Sequence, residues 1–209
     1  MTALIHFRSR WSGLVLLALV PACEGRSPRA RPADASTDTA AAQAATPPAA
    51  PAESTKPLTE WIAWTVADTG FGPIRIGMTP EQANSAVEGS LRLPRGSTGD
   101  ACDYALPRGV EGLAFMIEQG KVVRVEVSRP DIHTVEGAGI GDREARIYEL
   151  YRGRVRASPL KYTTGHYLTV VPSDTAGHPY RLIFETDGAV VTSFRGGALP
   201  QVQYVEGCS

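Results

Sequence analysis

Phe71-Gly72-Pro73-Ile74-Arg75-Ile76-Gly77-Met78-Thr79-Pro80-Glu81-Gln82 carries the sharpest helix-start signal in the chain. Thr79 can cap, Pro80 stands at the first helical position where its missing N–H costs nothing, and Gln82 completes a capping box. Ala83, Ala86 and Val87 follow at i, i+3 and i+4 as one apolar face, and Gly89 ends the helix. A shorter echo stands at Gly139-Ile140-Gly141-Asp142-Arg143-Glu144. There Asp142 is the expected cap and Glu144 suits the first turn of the helix dipole. Ile147, Leu150 and Tyr151 repeat the apolar face, and Gly153 closes it. Aligning the two starts on these caps requires a one-residue gap at Met78-Thr79.

Strand-like runs follow each helix: residues 102–106, 113–117 and 121–127 after the first, and 167–171, 180–185 and 189–195 after the second. The last two runs of each set flank Glu118-Gln119-Gly120 and Thr186-Asp187-Gly188, which read as three-residue hairpin loops with a left-handed glycine last. Pairing Ile117 with Lys121 places Leu113, Phe115 and Ile117 on one face with Val123, Val125 and Val127, and turns Met116, Arg124 and Glu126 to the other. In the second set the same rule gathers Tyr180, Leu182, Phe184, Val190, Thr192 and Phe194. Arg181, Glu185, Ser193 and Arg195 then share the opposite face with Ile183 and Val191. The apolar phase relative to the loop glycine is inverted between the two sets, either by a slip of register or by a real exchange of faces. The expected fold is α+β: two tandem helix-plus-antiparallel-sheet repeats, over residues 57–135 and 136–209, after a disordered tether.

Upstream, Arg8 and Arg10 precede an apolar core at residues 13–20, too short for the roughly 20 apolar residues that span a bilayer. This is the anatomy of a secretory signal peptide over residues 1–22. Val20-Pro21-Ala22-Cys23 resembles a bacterial lipoprotein signal box, which implies that Cys23 becomes the lipidated N-terminus, carrying acyl chains such as palmitate. Two or more chains anchor a protein stably, at about 0.8 kcal/mol per buried CH₂. Glu24 stands where an aspartate holds inner-membrane lipoproteins back, so the resemblance implies the periplasmic face of the outer membrane. Residues 23–56 are mostly Ala, Pro, Ser and Thr and have little apolar surface to offset ordering entropy. They read as a tether with an r.m.s. reach of about 30 Å.

With Cys23 committed to lipid, Cys102 and Cys208 remain in an oxidising compartment and are expected to pair as a disulfide. The charge balance, 21 basic against 22 acidic residues, gives no general pull toward nucleic acid. Arg143, Arg146, Arg152, Arg154, Arg156 and Lys161 cluster locally, as a solvated helix face and loop or as a phosphate or headgroup site.

Ile76-Gly77-Met78-Thr79, a short helix, and a hairpin ending in Gly120-Lys121-Val122-Val123 resemble the small outer-membrane lipoproteins of the β-barrel assembly machinery. They are also similar to β-lactamase-inhibitor-protein-like domains, some of which repeat this unit in tandem. The leucine-glycine-x-proline stretch of those proteins is replaced here by Glu88-Gly89-Ser90-Leu91. The resemblance implies a sheet surface that binds another protein or the envelope, and it does not extend to inhibition of a β-lactamase.

Chemistry-bearing patterns are sparse. His133, His166 and His178 lie at no metal-ligand spacing, and no Gly-x-Ser-x-Gly elbow is present. Asp131, Glu136 and Asp142 fit no calcium-loop pattern. Gly137-Ala138-Gly139-Ile140-Gly141 lacks the Lys-Ser/Thr ending of a phosphate loop. Trp61 and Trp64 bracket a strand-like piece that serves core packing or an aromatic platform. No catalytic residue, cofactor or metal is assigned. The expected function is a non-catalytic protein-binding or envelope-assembly module, with Arg124, Glu126, Arg181, Glu185 and Arg195 as contact residues and an envelope protein as partner. A small periplasmic envelope hydrolase is the alternative.

Overall fold

The computed structural model describes residues 55–94, 102–161, 163–173 and 177–208. The expected signal peptide, Cys23 and nearly all of the expected tether lie outside the described residues. A short helix α1 (Leu58–Trp61) leads into a three-stranded sheet of β1 (Val66–Ala67), β2 (Gly70–Phe71) and β3 (Ile74–Arg75). Helix α2 (Pro80–Ala86) precedes β4 (Leu91–Arg92), β5 (Asp103–Pro107), β6 (Leu113–Glu118) and β7 (Lys121–Val127). Helix α3 (Glu144–Leu150) precedes β8 (Val155–Pro159), β9 (His166–Val170), β10 (Tyr180–Thr186) and β11 (Val191–Ala198). The eight later strands form one antiparallel sheet in the order β4-β5-β6-β7-β11-β10-β9-β8, so the last strands of the two sets meet at its centre. The fold thus mixes α-helix with antiparallel sheet and is richer in strand than in helix. Among the described residues no helix is long and apolar enough to cross a membrane.

The capping box forms as the residues predict: Gln82 N–H donates to Thr79 Oγ1 and Thr79 N–H to the Gln82 side chain. The second helix departs from expectation, since its N-cap is Arg143. Asp142 is spent elsewhere, accepting from Gly139 N–H at 2.9 Å and pairing with Arg146. Trp61 sits on α1, where a strand was expected, and is wholly buried against Trp64 and Phe71. Strands β4 and β8 and the small sheet β1–β3 carry too little pattern to have been read: β4 has two residues, and β8 is exposed almost throughout.

Both hairpins differ from the expected three-residue loops. Glu118 pairs with Lys121, leaving Gln119 and Gly120 as a two-residue turn with φ of 50° and 66°, the left-handed pair that matches strand twist. A bulge after Met116 then pairs Ile117 with Val122, so Val122 enters the core in place of Val123. In the second hairpin Thr186 pairs with Val191 across residues 187–190. The longer loop moves the core-facing positions by one residue relative to the glycine. The inverted phase therefore comes from register and loop length, and the apolar residues of both sets keep to the same face of the sheet. Val122 and Val191 are also equivalent in their bonding. Gly77 N–H donates to Val122 O and Val122 N–H to Met78 O, each at 2.8 Å; Gly141 and Asp142 make the same two bonds with Val191 at 2.9 Å.

The main core lies on the helix-bearing face of the sheet, where Leu113, Phe115, Ile117, Val125, Val127, Leu182, Phe184 and Phe194 meet Ala83, Val87, Ile147 and Tyr151. Gly196 belongs to this face, and a Cβ there would come within 2.6 Å of Ala67 O, so the small sheet rests directly on β11.

Candidate binding face

Parity sends every second residue of the central strands to the opposite, outer face, and four of the five expected contact residues converge there. Arg124 on β7 and Arg195 on β11 are only 3% and 7% exposed. Both reach the C-terminal segment, whose 3₁₀ turn spans Gln201–Gln203. Arg124 Nη1 donates to Gln201 O at 2.9 Å and Tyr204 O at 2.8 Å, and Arg195 Nε donates to Val202 O at 2.7 Å. Their charges are met by carboxylates on the same face: Arg124 by Glu126 at 2.5 Å, Arg195 by Glu185. A buried guanidinium is tolerable only when paired and hydrogen-bonded in this manner.

The expectation of an open polar face is thereby corrected for Arg124 and Arg195. These side chains face the covering C-terminal segment, and truncating either would uncover carbonyls rather than remove an exposed contact. Arg181 stands apart, donating to His178 O and Tyr180 O.

Several participants were invisible in the sequence. Tyr104 on β5 donates its hydroxyl to Glu126 at 2.7 Å, and burial first, then that carboxylate, raises its pKa. The Gln201 amide reaches Glu118. Gly197 lies opposite Arg124, and a Cβ there would approach the Arg124 Cβ to 3.1 Å, so the glycine makes room for the arginine. Met116, Ile183 and Val202 are buried yet stand outside the main core, a small apolar layer on the outer side. The segment is tied at its far end by the Cys102–Cys208 disulfide, with a Cα separation of 5.2 Å. An arginine alternating with valines on a strand reads as solvent-facing; only a knowledge of what crosses above it reveals a buried pair.

Beyond the covered part, the outer face continues into a groove of about 780 Å³. Ala114, Glu126, Ser193 and Arg195 form its floor, with Leu106 and Arg108 at one wall. Ser193 donates to Glu185 at 3.3 Å, so the floor is held by the same network that holds the C-terminal segment.

The remaining sequence candidates are engaged locally. His166 Nδ1 lies 2.8 Å from Glu144, which also accepts from the Thr186 hydroxyl. Burial opposes ionisation of Glu144, but the Thr186 and His166 bonds prevail and hold its carboxyl below the usual range. His178 lies 3.8 Å from Asp68, and His133 bridges to Gly139. Asp131 pairs with Arg129, and Glu136 accepts from the Tyr151 hydroxyl at 2.9 Å. Among the described residues no group of three His, Cys, Asp or Glu side chains is placed to hold a metal ion. Compared with family models, curated proteins and solved structures, the chain matches none.

Proposed function

We propose that this chain is a non-catalytic protein-binding module of the bacterial envelope, held by lipid on Cys23 at the periplasmic face of the outer membrane. Its surface for an envelope protein is the outer sheet face at the groove floored by Ala114 and Ser193. The observation that carries this reading is the groove itself, set in a face whose charges are already paired internally and so held in one geometry before any partner arrives. The reading also takes the folded part as two copies of one helix-plus-sheet unit, in the manner of the β-barrel-assembly lipoproteins and inhibitor-like domains it resembles. Support comes from the constant offset that equates Gly77 with Gly141, Thr79 with Arg143, Ala83 with Ile147, Val87 with Tyr151 and Gly89 with Gly153. The later cap removes the gap that an Asp142 cap required.

The test is co-purification from the native membranes. Ala114→Arg and Ser193→Arg fill the groove and are expected to lose a partner that the wild-type chain retains. Tyr148→Arg, exposed on α3 on the helix-bearing side, is expected to keep it. Retention by both groove variants at unchanged thermal stability contradicts the proposal.

The hydrolase alternative rests on the Glu144–His166 contact, which orients an imidazole as a general base requires. Among the described residues the hydroxyl bonded to this pair is that of Thr186, which donates to Glu144 and is thus not poised as a nucleophile. Hydrolysis of peptidoglycan or ester substrates by the purified chain, abolished in His166→Gln, would favour the alternative.

A further inference from the structure

Strand β8 ends the eight-stranded sheet, pairing with β9 on one side and, among the described residues, with no strand on the other. The register of that pairing decides which backbone groups are spare. Arg154 O accepts from Val171 N–H and Leu160 N–H donates to Gly165 O, each at 2.9 Å. In an antiparallel ladder, positions alternate between bonding inward and pointing away. Arg154, Arg156, Ser158 and Leu160 therefore bond toward β9. Val155, Ala157 and Pro159 direct their backbone groups outward. The outer edge offers donor and acceptor at Val155 and Ala157 and an acceptor alone at Pro159, which has no N–H. One of these carbonyls, Val155 O, is met at 3.3 Å by the guanidinium of Arg156.

The side chains along this edge are of one sign. Arg152, Arg154, Arg156 and Lys161 fall within ten residues that hold no Asp or Glu, in a chain whose net charge is only −1. Arg154 is engaged, stacked over Tyr151 at 5.3 Å and near Glu136. Arg152, Arg156 and Lys161 are exposed, and none of them forms an ion pair among the described residues. Charges and proline on an edge strand are familiar guards against sheet-to-sheet aggregation. They exclude one occupant clearly: a second copy joining edge to edge would set four cations against four. The same guard selects for a strand of opposite charge.

We propose that the β8 edge is a docking site for an extended acidic peptide, which adds a ninth strand by bonding Val155 and Ala157 and places alternate carboxylates beside Arg152, Arg156 and Lys161. Strand addition of this kind takes affinity from main-chain bonds and specificity from side-chain complementarity. Pro159 limits the register, so the docked strand runs along residues 155–157 and its donor can meet only the carbonyl at 159. This edge is remote in sequence and element from Ala114 and Ser193, so the proposal stands or falls independently of the groove.

The test is selection of random nine-residue displayed peptides on the full-length chain, followed by amide exchange with the selected sequences. Selected peptides are expected to carry Asp or Glu at alternate positions and to slow exchange at Val155 and Ala157 by about tenfold or more. Arg156→Glu with Lys161→Glu, both at exposed positions, are expected to weaken binding by about tenfold, a change of about 1.4 kcal/mol. Ala157→Pro, which deletes one outward N–H, should weaken it without the charge change. Selection of peptides with no acidic bias overturns the proposal, as does acidic-peptide binding that leaves the two amides unprotected. Vesicles containing phosphatidylglycerol provide the remaining arm: binding to them that depends on Arg156 and Lys161, with no selected peptide, would reassign the edge to a headgroup patch.

Discussion

The two faces of the central sheet are built on different physics. On the helix-bearing face, Phe184 sits 5.7 Å from Tyr151 and 5.6 Å from Phe194, and burial of apolar surface holds the layer together. On the outer face, two buried arginines grip the carbonyls of a crossing C-terminal segment, with Met116, Ile183 and Val202 as buried apolar filling among the described residues. The first face tolerates reshuffling of similar side chains. The second depends on particular hydrogen bonds, and losing one partner strands the other. A protein that presents an outer surface to a partner gains from such a network, because it fixes side chains without a thick apolar layer.

The largest expected effect separates the faces by their core. Phe184→Ala should cost about 3–5 kcal/mol in denaturant unfolding, because a fully buried aromatic leaves a cavity. Replacing Cys102 and Cys208 with serine should cost about 2–5 kcal/mol, acting through the unfolded chain and the far end of the crossing segment. Reduced and serine forms unfolding at the same midpoint as the oxidised protein would show that the segment needs no tie. Arg124→Met should cost about 1–3 kcal/mol, the usual penalty for carbonyls left without a donor. It should also speed exchange of the Gln203 and Tyr204 amides while leaving Tyr151 on the helix side unchanged. Equal loosening on both sides would collapse the distinction between the faces.

The smallest effect is a pH dependence. The Tyr104 pKa is raised, by burial first and then by Glu126, so its contribution is complete below the unfolded value near 10 and is lost as pH rises through the folded one. Tyr104→Phe should flatten that alkaline decline. Glu144 has the opposite sign: its depressed pKa gives stability above the unfolded carboxyl range that is lost as pH falls through the folded value. Glu144→Gln should flatten the acid limb and leave the alkaline one intact.

The helix-bearing face was largely legible because local rules and burial agree there. Thr79, Pro80 and Gln82 act within one turn, and the alternation of Leu113, Phe115 and Ile117 states which face is buried. The pairing of Cys102 with Cys208 followed from a cysteine count. Legibility failed where a residue had a competing use. Asp142 looks like a cap but bonds Gly139 and Arg146, so the helix starts one residue later. Val123 looks like a core residue, but the bulge gives its place to Val122. Arg124 and Arg195 looked like surface contacts because nothing near them in sequence announces residues 201–204 above. Long-range closure of this kind is a property of the fold, and local periodicity carries no trace of it. The groove is equally non-local, joining Ala114 and Ser193 across three strands.

The central claim, that the outer face rather than the helix-bearing face meets an envelope partner, is tested most directly by site-specific photocrosslinking in intact cells. A photoreactive side chain at Ser193 is expected to trap a discrete, larger species, and the same group at Tyr148 on α3 to trap none. A discrete species from Tyr148 alone would contradict the account and move the contact to the opposite side of the sheet.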